Sequence, residues 1–332
     1  MRVVYLGNQD IGVRCLQELV DSGHDVAAVF VPPPGYWERI SGARREPVWY
    51  ASVEEAARHA GLPVHSPRDI SAPEMVALIR SLRPDVLFSI SWDQMVCRDI
   101  LAVPPAGCFN LHFGLLPENR GHAPVNWAVM RGYTRTGVTM HAMTDQPDAG
   151  DIVGQRTVEI RFEDTARDVY LRLLEAAPAL FREVVAAIAE RRLIRTPQAP
   201  ALATYGPRRR PADGLIDWSR PAYDLYNFIR ALTHPYPGAF TFLQERKLFI
   251  WTARLYEHAH KAGEPGRLVP TLGHDGVRVA AGVGSVLLCR VQLEGDDETE
   301  AGALLVSGRL AAGERLGATP SSFPILTGDV AL

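Results

Sequence analysis

"GCFNLHFGLLPENRGHAPVNWAVMRG", residues 107–132, carries the reading of the fold. Gly107 to Leu116 is apolar enough for a buried strand, and Ala123 to Gly132 has helical spacing with Pro124 in the first turn, where its missing N–H is tolerated. A loop framed by Pro117 and Gly121 joins them. Two polar residues, Asn110 and His112, interrupt the strand two positions apart, and so share one side of it. Buried without partners they would cost stability.

Working outward, the same strand-then-helix alternation fills the first half. "RVVYLG" (2–7) is a branched apolar strand, and "IGVRCLQELVDSG" (11–23) repeats apolar residues at helical intervals before Gly23. "DVAAVFV" (25–31) is a second strand; "SVEEAARHAG" (52–61) is a helix capped by Ser52, with Glu55 at capping-box spacing. "APEMVALIRSLRPDVLFSI" (72–90) adds a helix and a strand. "GVTMHAM" (137–143) is another strand, followed by an acidic turn and a further strand from Asp151. Such alternation predicts an α/β fold with a mostly parallel sheet covered on both faces, and ligands beyond the carboxyl ends of its strands.

A long helix is predicted over 168–192, with Pro178 inside it. The segment 194–210, rich in Pro, Arg and Gly, reads as a linker and divides a first domain (1–205) from a second (206–332). After one helix ("AYDLYNFIRAL") the second domain reads as short strands, "KLFIWTARLY", "GVRVAAG", "SVLLCRVQL" and "ALLVSG", which predicts a small β-barrel or sandwich.

The 332 residues are 47% hydrophobic and 22% charged, which is ordinary globular composition, and a net charge of -3 gives no general attraction to nucleic acid or anionic membrane. Cys15, Cys97, Cys108 and Cys289 form no CxxC pair or regular framework, so reduced thiols in a cytoplasmic protein are expected. The N-terminus enters a strand at once, without the pattern of a signal peptide. No run approaches the ~20 apolar residues that span a bilayer. His258 and His260 flank one residue but lack a cluster to complete a zinc site, and His24, His59, His65 and His274 lie in turn-like or polar contexts; no metal is indicated. "GNQDIG" (7–12) is neither GxGxxG nor a P-loop, and a tight turn explains its glycines. Arg208–Arg210 reads as a solvated basic triplet that could also hold a phosphate.

Asn110 and His112 together offer an amide donor for a developing oxyanion and a group that titrates near neutral pH. The turn after the next strand carries Asp145, Asp148 and Asp151. Each alone is explained as a turn cap, whereas a carboxylate facing the histidine would orient its ring and raise its pKa.

"FNLHFGLLPENRGHAPVNWAVMRGYTRTGVTMHAMTDQPDAGDIV" (109–153) resembles the signature of the 10-formyltetrahydrofolate-dependent formyltransferases: an N-x-H strand, a loop of S-L-L-P-x-x-R-G type, a T-G-V-T strand and a D-x-G-D turn. "RPDVLFS" upstream and "PYPGAF" downstream extend the likeness. "RGHAPVNWAV", "TGVTMH" and "DAGDIV" fit the branch that formylates UDP-4-amino-4-deoxy-L-arabinose in polymyxin resistance better than the methionyl-tRNA branch. The resemblance implies a Rossmann-like domain followed by a small β-barrel, 10-formyltetrahydrofolate as formyl donor, and no metal. It implies that Asn110 stabilises the oxyanion, that His112 is the catalytic histidine and that Asp148 tunes it. Folate contacts fall on Gln94, Met95 and Val96, on Thr144, Asp145, Gln146, Pro147 and Asp148, and on position 122. There the polymyxin-resistance branch has Arg and this chain has His122. Phe113, Gly114 and Glu118 also depart from the common pattern.

For the acceptor, transfer RNA demands a basic surface. From Pro207 to the end, 14 Lys plus Arg balance 14 Asp plus Glu. The segment 31–50 carries Arg together with Glu and aromatics, and no lysine run. The expected acceptor is therefore a small-molecule amine, preferably a nucleotide-linked amino sugar, with Tyr36, Trp37 and Trp92 as aromatics able to stack on a base. The alternatives are an amino-acid-derived amine such as hydroxyornithine, hydrolysis of the formyl-folate, or folate binding without turnover. A homodimer is left open.

Overall fold

The computed structural model describes residues 1–36, 51–270, 276–311 and 313–317. Trp37, most of the 31–50 segment and His274, named above, lie outside the described residues. The chain divides into two compact units: Met1–Val125, Arg135–Glu159 and Val169–Arg208 form one, and Asn126–Thr134, Ile160–Asp168 and Arg209–Leu332 the other.

The first unit is built on a seven-stranded sheet of β1 (Arg2–Gly7), β2 (Asp25–Phe30), β3 (Val64–His65), β4 (Val86–Ile90), β5 (Cys108–His112), β6 (Arg135–Ala142) and β7 (Ile152–Glu159). Their order is β3-β2-β1-β4-β5-β6-β7. The first five run parallel, whereas β6 is antiparallel to β5 and β7 antiparallel to β6. The burial strings explain the difference. β1, β2 and β4 are apolar and almost continuously buried, as strands covered on both faces must be. β7 alternates half-buried and exposed residues along most of its length, as an edge strand does.

Between the strands lie α1 (Gln9–Asp21), α2 (Val53–His59), α3 (Pro73–Leu82), a short α4 (Arg98–Leu101) and α5 (Pro124–Met130). α1 buries Ile11, Cys15, Leu16 and Leu19, the apolar stripe expected from the sequence. At α2 the Glu55 N–H donates to Ser52 Oγ over 3.1 Å, so Ser52 is the cap. One core cluster joins Val4, Leu6, Phe30, Ile79 and Leu87 to Val96, with Trp92 and Met143 packed against it. Apolar burial thus extends to the carboxyl ends of the strands, where the polar residues of interest stand. The long helix α6 spans Ala166–Ala189 and contains Pro178.

The second unit contains α7 (Ala222–Leu232) and a curled antiparallel sheet of β8 (Ala239–Leu243), β9 (Arg246–Glu257), β10 (Val277–Ala280) and β11 (Ser285–Leu293). The order is β8-β9-β11-β10, with the short β12 (Thr299–Glu300) on β11. Register shifts along β9 at Ile250/Thr252, Thr252/Ala253 and Leu255/Glu257 add the local twist that curls it. One expected strand is a helix: "ALLVSG" falls largely in α8 (Ala301–Val306). Ala301 and Leu304, three apart, are its buried residues, and Leu305 and Val306 are exposed, so the burial period is helical.

Candidate active site

Asn110 and His112 stand at the end of β5. The antiparallel register with β6 sets His141 opposite Asn110 and Thr139 opposite His112. Asp148 reaches the same place from the turn after β6. Its φ of 52° lies in the left-handed region, which short polar side chains tolerate better than most. A Cβ on Gly150 would fall 1.9 Å from the Ala142 carbonyl oxygen, so only glycine lets the turn fold back this tightly.

The Asp148 carboxylate is shared. Its Oδ2 accepts the Gly121 N–H (2.7 Å) and lies 3.6 Å from His112 Nδ1. Its Oδ1 lies 3.3 Å from His141 Nε2 and 3.5 Å from Asn110 Nδ2. His112 Nε2 is 2.7 Å from the Asn119 carbonyl oxygen. A carbonyl only accepts, so Nε2 carries the hydrogen, and Nδ1 is the nitrogen left to take up a proton. A Cβ at Gly114 would sit 2.9 Å from His112 Nε2, so the departure from the usual residue at 114 leaves room for the ring in this position.

The electrostatics follow from burial. His112 is 6% exposed, and burial pushes its pKa below the ordinary 6.5; the Asp148 carboxylate opposes this without reversing it. For Asp148, burial alone would raise the pKa. His112, His141 and the Gly121 N–H outweigh it and hold the carboxyl well below the usual range. The site therefore contains a histidine poised to be unprotonated at neutral pH beside a permanent carboxylate, with an amide adjacent. Such a set can remove a proton, stabilise the resulting imidazolium, and donate to a developing oxyanion.

The folate-contact positions named in the sequence form two neighbouring segments. Gln94 lies after β4, its side chain accepting from Ile70 N–H (2.8 Å) and donating to the Arg68 carbonyl (3.2 Å). Met95 is exposed and Val96 buried. Thr144, Asp145, Gln146 and Pro147 lead to Asp148, with Thr144 Oγ1 donating to the Gln146 carbonyl (3.0 Å). Arg98 pairs with Asp145 and ties the two segments together. Beside them is a cavity of about 350 Å³ lined by Arg98, Leu101, Ala102, Met143, Thr144 and Asp145. A larger one, about 430 Å³ and lined in part by Arg80, Arg83 and Asp85, lies by the amino end of β4, away from this chemistry. His122 Nε2 is 3.0 Å from Arg208, so a guanidinium does stand near position 122, supplied from far along the chain. Burial and Arg208 lower the pKa of His122. Tyr36 is half-buried, and the indole N–H of Trp92 is buried with no acceptor among the described residues.

Several structural partners were not singled out in the sequence. His141 is one; its place opposite Asn110 follows from the β5–β6 register, which the sequence did not supply. The segment expected as a linker, 194–210, carries others. Gln198 Nε2 donates to the carbonyls of Asp148 (2.8 Å) and Gly150 (2.7 Å), while its Oε1 accepts from buried Arg120 (2.7 Å). Thr204 Oγ1 accepts the Asn119 N–H (2.8 Å), and Tyr205–Gly206 pairs in parallel with Arg120–Gly121. The segment thus fixes the carbonyls of Asp148 and Gly150 and the backbone of Asn119–Gly121. Among the described residues no group of three or more His, Cys, Asp or Glu could hold a metal ion, and no helix is long and apolar enough to cross a membrane.

Residues 1–185 match the formyl transferase family and residues 209–308 its C-terminal domain. The chain belongs to the formyl transferase family, and is a formyl-transferring enzyme by that membership. Among solved structures it is similar to WlaRD, a sugar 3N-formyltransferase determined in the presence of dTDP and 5-N-formyl-THF (TM-score 0.66, 17% identity, 90% of this chain and 99% of that one). It is similar also to an N-formyltransferase from Helicobacter canadensis in complex with folinic acid and dTDP-3-aminofucose (TM-score 0.63, 18% identity, 86% and 98%). Methionyl-tRNA formyltransferase from Clostridium thermocellum shares the fold as well (TM-score 0.53, 18% identity, 77% and 94%). At these identities the likeness establishes the fold, which does not choose the acceptor.

Proposed function

We propose that this chain transfers the formyl group of 10-formyltetrahydrofolate to the amine of a nucleotide-linked amino sugar. The observation that carries the chemistry is the convergence of buried His112 with part-buried Asn110 and Asp148 at the carboxyl end of the sheet. The 5-N-formyl-THF and dTDP of one neighbour, and the folinic acid and dTDP-3-aminofucose of the other, support the donor and the acceptor class. The even charge of residues 207–332 argues against transfer RNA, whose phosphates need a basic surface. Folate is held by the 94–96 and 144–148 segments with His122. The four free thiols suit a cytoplasmic location.

In the proposed reaction the uncharged amine attacks the formyl carbon, forming a C–N bond and an oxyanion. The Asn110 amide donates to that oxygen. His112 takes the proton released by the amine at Nδ1, where Asp148 stabilises the imidazolium, and returns it to N10 of the folate as the C–N10 bond breaks. Formamide and tetrahydrofolate leave, and the histidine is again neutral.

The test is an acceptor screen with 10-formyltetrahydrofolate: UDP-, dTDP- and GDP-linked amino sugars, hydroxyornithine and methionyl-tRNA. Formylation of a nucleotide amino sugar is expected. A strict preference for hydroxyornithine or methionyl-tRNA sinks the sugar assignment, and formate release with no amine present sinks the transferase assignment.

A further inference from the structure

Opposite Asn110, the His141 ring is 2% exposed and both its nitrogens face hydrogen-bonding partners. Nδ1 is 2.9 Å from the Ala142 carbonyl oxygen, which only accepts, so Nδ1 carries a hydrogen. Nε2 lies 3.1 Å from Asn110 Nδ2, which only donates, and 3.3 Å from Asp148 Oδ1, which only accepts; with the hydrogen on Nδ1, the neutral ring leaves Nε2 bare, and it accepts from the nearer partner, Asn110. Turning the Asn110 amide over would place its oxygen against the Asp148 carboxylate, 3.5 Å from the present nitrogen, and two oxygens there repel. The orientation of the amide is therefore fixed from two sides. His141 makes the shorter contact, and the second amide hydrogen, facing Asp148 at the longer distance, is the one free to move to a substrate oxygen.

We propose that His141 is a positioning residue that holds the Asn110 amide for oxyanion donation through its bare Nε2. The inference rests on the formyltransferase reading above. It gives the two histidines beside Asp148 opposite roles and opposite tautomers. His112 keeps its hydrogen on Nε2 against Asn119 and takes up protons at Nδ1. His141 keeps its hydrogen on Nδ1 and acts as a fixed acceptor. If His141 were an imidazolium, its Nε2–H would turn to Asp148 Oδ1, 3.3 Å away, and release the amide.

Two measurements on the full chain test this. The first needs no substrate: imidazole nitrogen spectra of histidine-labelled protein at neutral pH, with the His141 signals identified by their loss in His141→Gln. A ring protonated on Nδ1 alone is expected; a hydrogen on Nε2, or a doubly protonated ring, overturns the proposal. The second is kinetic, using 10-formyltetrahydrofolate and the best amine of the screen. His141→Leu, of similar volume, should lower kcat by about 10–10²-fold with KM little changed, as a misplaced catalytic group does. His141→Gln, whose Oε1 can still accept from Asn110, should recover most of the loss. In an Asn110→Ala background His141→Leu should cost less than about twofold, because the two act as one unit. A full additional loss in that background means that His141 does not act through Asn110 and overturns the proposal. Wild-type turnover by Asn110→Ala is a separate result: it refutes the proposed role of Asn110, while the tautomer spectrum still reports on His141.

Discussion

His234–Glu298 in the second unit and His112–Asp148 in the first are both histidine–carboxylate pairs, and by distance alone they rank the wrong way. His234 and Glu298 in the second unit are 3.0 Å apart, with His234 stacked on Trp251 at 3.7 Å between ring centroids. His112 and Asp148 in the first unit are 3.6 Å apart, beyond a good hydrogen bond. The His234 side chain is 57% exposed, however, against 6% for His112. Water screens the first pair, and pairs of that kind contribute between nothing and about 1 kcal/mol. The second pair is buried with an amide and another imidazole, where charge is expensive and each protonation change is felt by every neighbour. Burial and company, rather than contact distance, separate a surface pair from a chemical one.

The sharpest way to break this comparison is to delete the buried groups. His112→Ala should lower turnover by about 10²–10⁴-fold, the usual contribution of a positioned base. Asn110→Ala should cost about 10²–10³-fold, as the loss of one oxyanion donor does. Steady-state kinetics with the best acceptor checks both, and near-wild-type rates in the two variants would remove the chemical reading of the cluster.

Next in size is the support of the cluster. Gln198→Leu removes both the clamp on the Asp148–Gly150 backbone and an acceptor of the buried Arg120 guanidinium. Leaving such groups unpaired costs about 1–3 kcal/mol, so a lower midpoint in denaturant unfolding and a reduced kcat are expected together.

A smaller effect sharpens the electrostatics. Burial sets His112 below the ordinary imidazole pKa, and a base must be unprotonated to act. The rate should therefore stay level through neutral pH and fall only on the acid side, below about 6.5. Because the carboxylate raises that pKa, Asp148→Asn should move the acid limb to still lower pH while reducing the plateau. A limb that moves upward contradicts the assigned coupling. The smallest effects belong to the exposed pair: His234→Ala or Glu298→Gln should change stability by less than about 1 kcal/mol and leave turnover unaltered.

Much of this architecture was legible in the sequence, because periodic burial leaves a periodic pattern. The strands 2–7, 25–30 and 86–90 and the Ser52 cap follow from local residue order. So does the shared side of Asn110 and His112, which requires only that they be two apart on a strand. What local order could not supply was pairing across the sheet. His141 meets Asn110 through the β5–β6 register, a long-range choice absent from either segment alone. The segment read as a linker, 194–210, escaped for a related reason. Its irregular backbone has no period to read, yet Gln198, Thr204 and Tyr205 satisfy backbone and side-chain groups around Asp148 and Asn119. "ALLVSG" misled in the opposite way, since a short apolar run fits strand or helix and only burial of Ala301 and Leu304 decides.

The central claim is that the buried cluster moves a formyl group from folate to an amine. The most direct measurement follows the carbon itself: 10-formyltetrahydrofolate labelled with ¹³C in the formyl group, incubated with the nucleotide amino sugars and read by mass spectrometry. Label in the sugar formamide with wild-type protein, and essentially none with Asn110→Ala, is the result predicted. Label found only as free formate, or transferred equally well by Asn110→Ala, would contradict the account.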